Sequence, residues 1–145
     1  MSRTITSADS VFIIGSDDFA LAATQIEGYA ADAAFAMDAQ ETAEVVLGVD
    51  GKMSGGWVPR MYTQTITLQA DSPSIDIFDA IVLAQDANKT VYRLSGTITL
   101  PGTERSYTLS RGMLTSYTAM PDAQRTLQPR TFVITWENVL PTPLV

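Results

Sequence analysis

The side chains in this chain that could do chemistry are carboxylates and hydroxyls, with two lysines and seven arginines as the only cations. Histidine and cysteine are absent, so no Ser-His-Asp or Cys-His nucleophile can be assembled, and the commonest metal ligand is missing with them. A Ser-Lys pair would have to use Lys52 or Lys89, each in or beside a turn signal and without a nucleophile motif. Two carboxylates flanking a sugar linkage can hydrolyse it. However, Asp17-Asp18, Glu41/Glu44 and Asp76/Asp79 each have an ordinary place in a loop, a turn or a helix N-terminus. Calcium binding at Asp17-Asp18 or Asp50 lacks the regular oxygen spacing of an EF-hand loop. The expectation is no catalytic centre, no metal and no cofactor, and a carboxylate hydrolase is the weakest of the readings carried forward.

Charge narrows the partners. Sixteen acids against nine bases give a net charge of −7, and the basic positions Arg3, Lys52, Arg60, Lys89, Arg93, Arg105, Arg111, Arg125 and Arg130 are scattered along the chain. A sequence-independent nucleic-acid binder needs a basic stripe to displace phosphate counterions. An acidic surface that lets DNA pass without holding it is compatible with the same numbers. At 145 residues, 46% hydrophobic and 17% charged, the chain reads as one folded domain able to bury its own core. MSRTITSADS carries no apolar signal core, and no run approaches the ~20 apolar residues that span a bilayer, so no membrane anchor is expected.

The elements that must position these groups are mainly strands. In Met61 to Ala70, Thr63, Thr65, Thr67 and Gln69 oppose Tyr62, Ile66, Leu68 and Ala70. In Val91 to Leu100, Arg93, Ser95, Thr97 and Thr99 oppose Tyr92, Leu94, Ile98 and Leu100. Ser106, Thr108 and Ser110 oppose Tyr107 and Leu109, and Thr131, Thr135 and Glu137 oppose Phe132, Ile134 and Trp136. A period of two with threonine and aromatic enrichment marks strands with one buried face. Pro101-Gly102 reads as a hairpin turn, and further strands are predicted at residues 10–15, 21–29, 33–38 and 44–49. Residues 72–88 break the alternation. Asp71 or Ser72 can cap a helix, Pro73 suits its first turn, and Ile75, Phe78, Ile81, Val82 and Leu83 make an apolar stripe. The result is an α+β, mainly β domain of antiparallel strands with one flanking helix.

One stretch resists both patterns: GVDGKMSGGWVPR, Gly48 to Arg60. Asp50-Gly51 is a hairpin-type turn signal. Lys52, Met53, Ser54, Gly55 and Gly56 follow with wide conformational freedom, and Pro59 limits any ladder beyond Trp57 and Val58. A phosphate loop would need a G-K-[ST] run and a following helix, and neither is present. Residues 50–61 are therefore expected to form a contact loop, with Asp50 to Arg60 as its contact residues. Trp136 lies on the apolar phase of its strand and is expected in the core. Trp57 either folds back on its own domain or anchors a neighbouring subunit.

The run YAADAAFAMDAQETAEVVLGVDGKMSGGWVPRMYTQTITLQADSPSIDIFDAIV, Tyr29 to Val82, resembles the tail tube proteins of contractile-tailed bacteriophages. The acidic DAAFAMDAQETAEVVLGVDGKMSGG and the strand-to-helix TQTITLQADSPSIDIFDA carry the resemblance, which covers over a third of the chain. It implies a β-sandwich or barrel-like protomer, six of which close a ring. Rings stack into the inner tube of a virion tail, assembled in the host cytoplasm. The implied partners are a tail sheath protein, a tape-measure protein, baseplate and tail-terminator proteins, and DNA that passes without specific binding. Under that reading the residue 50–61 loop contacts the next subunit, and residues 1–9 and 141–145 are secondary contact segments. The hydroxyl faces Thr63, Thr65, Thr67, Gln69 and Ser95, Thr97, Thr99 are candidates to line the lumen. Related tail-completion or baseplate proteins share the pattern. A reading from another class is a monomeric β-sandwich module that binds a carbohydrate or receptor through Trp57.

Overall fold

The computed structural model describes residues 10–16, 21–26 and 35–143. The predicted N-terminal arm at 1–9, the Asp17-Asp18 pair and residues 144–145 lie outside them. Among the described residues, nine strands and one α-helix follow one another as β1 (Val11–Ser16), β2 (Leu21–Gln25), β3 (Phe35–Met37), β4 (Ala43–Leu47), β5 (Met53–Trp57), β6 (Tyr62–Leu68), α1 (Ile75–Asn88), β7 (Leu94–Leu100), β8 (Arg105–Tyr117) and β9 (Arg130–Pro143). Seven of the strands form one antiparallel sheet in the order β2-β1-β7-β8-β9-β6-β3, and β4 and β5 form a separate two-stranded sheet. The mainly β, antiparallel architecture with one helix is the one the alternation predicts.

The large sheet is rolled. A cavity of about 280 Å³ is lined at once by Ala36 and Met37 of β3 and by Ile98 and Leu100 of β7. These strands stand four places apart in the sheet order, so they can face one space only if the sheet curls on itself. Curling lets the inward side chains of all its long strands share one core, which includes Phe12, Ile14, Ile66, Leu68, Leu94, Ile98, Leu109, Phe132, Ile134 and Trp136. The helix closes part of that core with Ile75, Phe78, Ile81 and Val82, and Phe78 stacks on Phe132 with ring centroids 4.5 Å apart. Leu83, expected on the apolar stripe, is exposed instead. It sits about 100° round the helix from Val82, outside the arc set by positions 75, 78 and 82.

The helix begins at Ile75, three residues after the predicted start at 72. Ser72 does not cap it as an N-cap residue; its hydroxyl accepts the Ser74 amide at 3.2 Å and shapes the turn that precedes the helix. Lys89 ends the helix in the left-handed region, and its N–H donates to the Gln85 carbonyl. The Pro101-Gly102 signal becomes a 3₁₀ turn, Pro101–Thr103, joining β7 to β8 as a hairpin.

The two longest strands change which phase faces inward. In β8 the buried positions are Leu109, then Gly112 and Leu114. In β9 they are Arg130, Phe132, Ile134 and Trp136, after which Val139 packs against the core. Against β7, the three steps from Leu109 to Gly112 face only the two from Gly96 to Leu94. This is a β-bulge, and Arg111 within it has φ 53°. Beside it, β9 turns both Glu137 and Asn138 outward. Of the predicted C-terminal tail at 141–145, Pro141 to Pro143 continue β9 opposite Tyr107 to Arg105. β6 pairs with residues 130–136 of β9, and among the described residues no strand pairs with that edge of β9 beyond them.

Candidate assembly surface

The glycine-rich stretch is not a loop. Met53 to Trp57 form β5, paired with β4 in the register Ala43↔Trp57, Val45↔Gly55 and Leu47↔Met53. This corrects the expectation for residues 50–61, of which only 50–52 and 58–61 lie outside strands. The turn forms as the Asp50-Gly51 signal predicts. The Gly51 amide donates to the Gly48 carbonyl at 3.0 Å and the Gly48 amide to the Lys52 carbonyl at 2.8 Å, while Gly51 takes φ 83°. The Asp50 Oδ1 accepts the Lys52 amide at 3.0 Å, and a type I turn followed by a left-handed glycine is a common three-residue hairpin connection. At the base, the Val58 amide reaches the Thr42 carbonyl at 3.4 Å.

Every residue of β4 and β5 is exposed. Strand alternation places Ala43, Val45 and Leu47 with Trp57, Gly55 and Met53 on one face, and Glu44 and Val46 with Gly56 and Ser54 on the other. Trp57 is 77% exposed, so it does not fold back onto its own domain. An isolated two-stranded hairpin is marginal in water. One that projects Val45, Leu47, Met53 and Trp57 from one face, with Val46 on the other, leaves apolar surface unburied, a feature of interaction sites. Pro59 and Arg60 lead back to the sheet; Arg60 donates to the Tyr62 hydroxyl at 3.0 Å and lies over that ring.

The glycines of β5 are not required by packing within the chain. A Cβ on Gly56 would meet nothing within 4 Å, and one on Gly55 would make ordinary contact with Val45 at 3.6 Å. Gly56→Ala should therefore leave the melting temperature of the unassembled chain unchanged or slightly raised, since alanine lowers the entropy of the unfolded state by about 0.4–1 kcal/mol. A loss of several degrees, read by circular dichroism, would contradict this geometry.

The hydroxyl faces are partly brought together. Thr63 stands opposite Thr135 and Thr67 opposite Thr131, while the Thr115 and Thr135 hydroxyls lie 3.3 Å apart. Thr97 faces Thr108 and Thr99 faces Ser106. The two sets do not adjoin, because β8 and β9 separate β6 from β7. Gln69 lies just beyond the end of β6 and is exposed.

Between the two sets runs a feature that sequence order hides. Arg60 and Met61 precede β6, Arg93 precedes β7, Arg111 sits in the bulge of β8 and Glu137 in β9; together with Met113 they line a groove of about 310 Å³. Glu137 bridges Arg111 at 3.3 Å and Arg93 at 3.8 Å. The basic residues expected to be scattered are thus in part gathered. Spacings of 33 and 18 residues carry no periodic signal, and only the register of β6, β9, β8 and β7 aligns them. Among the described residues no cluster of acids could hold a metal ion, and no helix is long and apolar enough to cross a membrane.

No curated protein matches the sequence. Among solved structures, the fold resembles a chain of the anti-feeding prophage baseplate with a TM-score of 0.64 at 10% identity, covering 99% of both chains. It also resembles a chain in the sheath/tube terminator of the extracellular contractile injection system PVC, with a TM-score of 0.63 at 14% identity, covering 98% of this chain and 99% of that one. A chain of the PVC sheath-tube complex aligns with a TM-score of 0.55 at 16% identity, over 91% of this chain and 88% of that one. At these identities the likeness is one of fold. The family described as "Tail fiber protein gp32" matches residues 3–140, nearly the whole sequence, and the protein belongs to that family.

Proposed function

We propose that the protein is a non-enzymatic structural subunit of a contractile tail, closing rings with copies of itself and stacking with the tail tube. The observation that carries this reading is the β4–β5 hairpin, a separate sheet with a wholly exposed apolar face. Burying that face against a neighbour offsets the entropy of ordering both partners. Six copies per ring, as in the tube proteins the sequence resembles, is the expected number. β2 and β3, at the two ends of the sheet order, are the edges available for pairing around such a ring. The Thr63, Thr65, Thr67 and Ser95, Thr97, Thr99 faces are assigned to the hydrated wall of the conduit. Hydroxyls there offer no fixed cation to stall a passing polyanion. Sheath, tape-measure, baseplate and terminator proteins are the partners this placement implies.

A second placement has its own support. The chains matched in the baseplate and in the sheath/tube terminator align over 98–99% of this chain, against 91% for the sheath-tube complex. A ring at one end of the tube, rather than a repeated ring of its shaft, fits that difference in extent.

Negative-stain microscopy of concentrated protein should show rings or stacked rings. Excising Glu44 to Gly56 and closing Ala43 to Trp57 with a two-residue Asn-Gly turn should leave a cooperatively folded chain that sediments as a monomer. Strictly monomeric wild-type protein at every concentration, or unimpaired rings after excision, would overturn the reading. Saturable sugar binding by monomers, lost in Trp57→Ala, would instead establish the recognition module.

A further inference from the structure

We infer that the groove between Arg60, Met61, Arg93, Arg111, Met113 and Glu137 is the receptor for the β4–β5 hairpin of a second copy of the chain; this rests on the assembly reading above and names the surface it uses. Charge argues for the match. Among the described residues that line it, the groove carries three guanidiniums and one carboxylate, a basic set on a chain whose net charge is −7. The hairpin and its approach, residues 41–57, carry Glu41, Glu44 and Asp50 against Lys52, a balance of −2. Two acidic chains repel at long range, and this groove offers one copy a site of opposite sign to the arm of the next.

Shape and chemistry agree with charge. Met61 is 71% exposed on the groove, and an adaptable thioether side chain beside guanidinium planes suits an aromatic anchor. The hairpin presents Trp57 and Val45 on one face, with Glu44 turned to the other. An indole laid over Met61 and Met113 would gain apolar burial and cation–π contact, while Glu41, on the approach to the hairpin, meets Arg93 and Arg111. The bulge gives Arg111 its place in this scheme. Its φ of 53° is costly for a non-glycine residue, and the extra outward position puts the guanidinium on the groove. Because the hydroxyl faces flank the groove, docking would also cover its cations and leave threonine and serine toward the conduit.

Sedimentation of the full chain and of single variants tests the inference. Arg111→Glu should raise the concentration needed for assembly about thirtyfold or more, as loss of an interface anchor does. Arg111→Asn, which tolerates the left-handed backbone, removes the charge without repelling Glu137 and should act in the same direction. Adding Glu41→Arg to Arg111→Glu should restore assembly. If Arg111→Glu and Arg111→Asn assemble like wild type while hairpin excision does not, the groove is wrong and the arm's role stands. Loss without rescue by Glu41→Arg would show that the hairpin is not the occupant. DNA binding by unassembled chains, abolished by Arg111→Asn with assembly intact, would reassign the groove to phosphate and overturn the inference.

Discussion

Gly112→Ala should destabilise the folded chain by about 3 kcal/mol, the upper part of the range for overpacked cores, which for a domain of this size lowers the melting temperature by roughly 6–12 °C. A Cβ at this position would lie 2.4 Å from Trp136 Cε3 and 2.6 Å from Cζ3. Trp136 is the cross-strand partner of Gly112, fully buried, and its indole lies over the glycine. The ring cannot retreat easily. Its Nε1 donates to Gln64 Oε1 at 2.8 Å, and its Cη2 lies 3.4 Å from the Cβ position of Gly96 on β7. Trp136→Phe should itself cost about 2 kcal/mol by stranding the buried Gln64 carbonyl, but should relieve much of the Gly112→Ala penalty, because the atoms in conflict belong to the indole's six-membered ring. Urea titrations of the hairpin-excised monomer, followed by circular dichroism, give the cycle. Additive costs would mean that glycine and indole are not in contact.

That pair shows where the sequence is legible and where it stops. Trp136 reads as core from the alternation Phe132, Ile134, Trp136, and it is. Gly112 carries no such mark, because a glycine covered by an aromatic is defined by the strand across from it. The phase change next to it is equally silent. Leu109 and Gly112 are three apart, a spacing that fits no single period, and only the bulge against β7 reconciles them. Local rules therefore locate strands well and lose the register between them.

The hairpin was half legible for a related reason. Asp50-Gly51 gave the turn, but Ser54-Gly55-Gly56 has the composition of a loop, and glycine is a poor strand former. What makes it a strand is its partner, Ala43 to Leu47, whose five residues match it one for one. The arginine groove lay further out of reach, because it depends on four strands being aligned at once. Hydroxyl-rich faces were visible as alternation, yet their separation by β8 and β9 was not. Function was legible only as exclusion of chemistry and as a resemblance, since an assembly surface has no obligatory residue types.

Asp79→Ala should cost about 3 kcal/mol, the lower part of the range for breaking a buried ion pair by removing one partner, and more than Arg130→Met. Asp79 was expected only to complement the helix dipole. The structure instead joins it to Arg130, 51 residues away, by two hydrogen bonds of 2.8 and 3.0 Å. The Arg130 side chain is only 6% exposed, whereas that of Asp79 is 41% exposed, and this difference sets the sign of the comparison. Hydrogen bonding to Asp79 is the main cause that raises the Arg130 pKa, against the opposing effect of burial; once Asp79 is gone, the intrinsic basicity of the guanidinium still keeps it charged. Without Asp79 it keeps only the Thr118 carbonyl at 2.9 Å and the face of Phe132, and a desolvated charge is left largely uncompensated. Without Arg130, the carboxylate can hydrate where it stands. Methionine fills much of the arginine's volume, so Asp79→Ala/Arg130→Met should be more stable than Asp79→Ala alone. Urea midpoints of the three variants would decide it. Equal costs for the two single changes would mean that Arg130 is solvated in the folded chain and that the pair fastens α1 to β9 no more firmly than a surface contact.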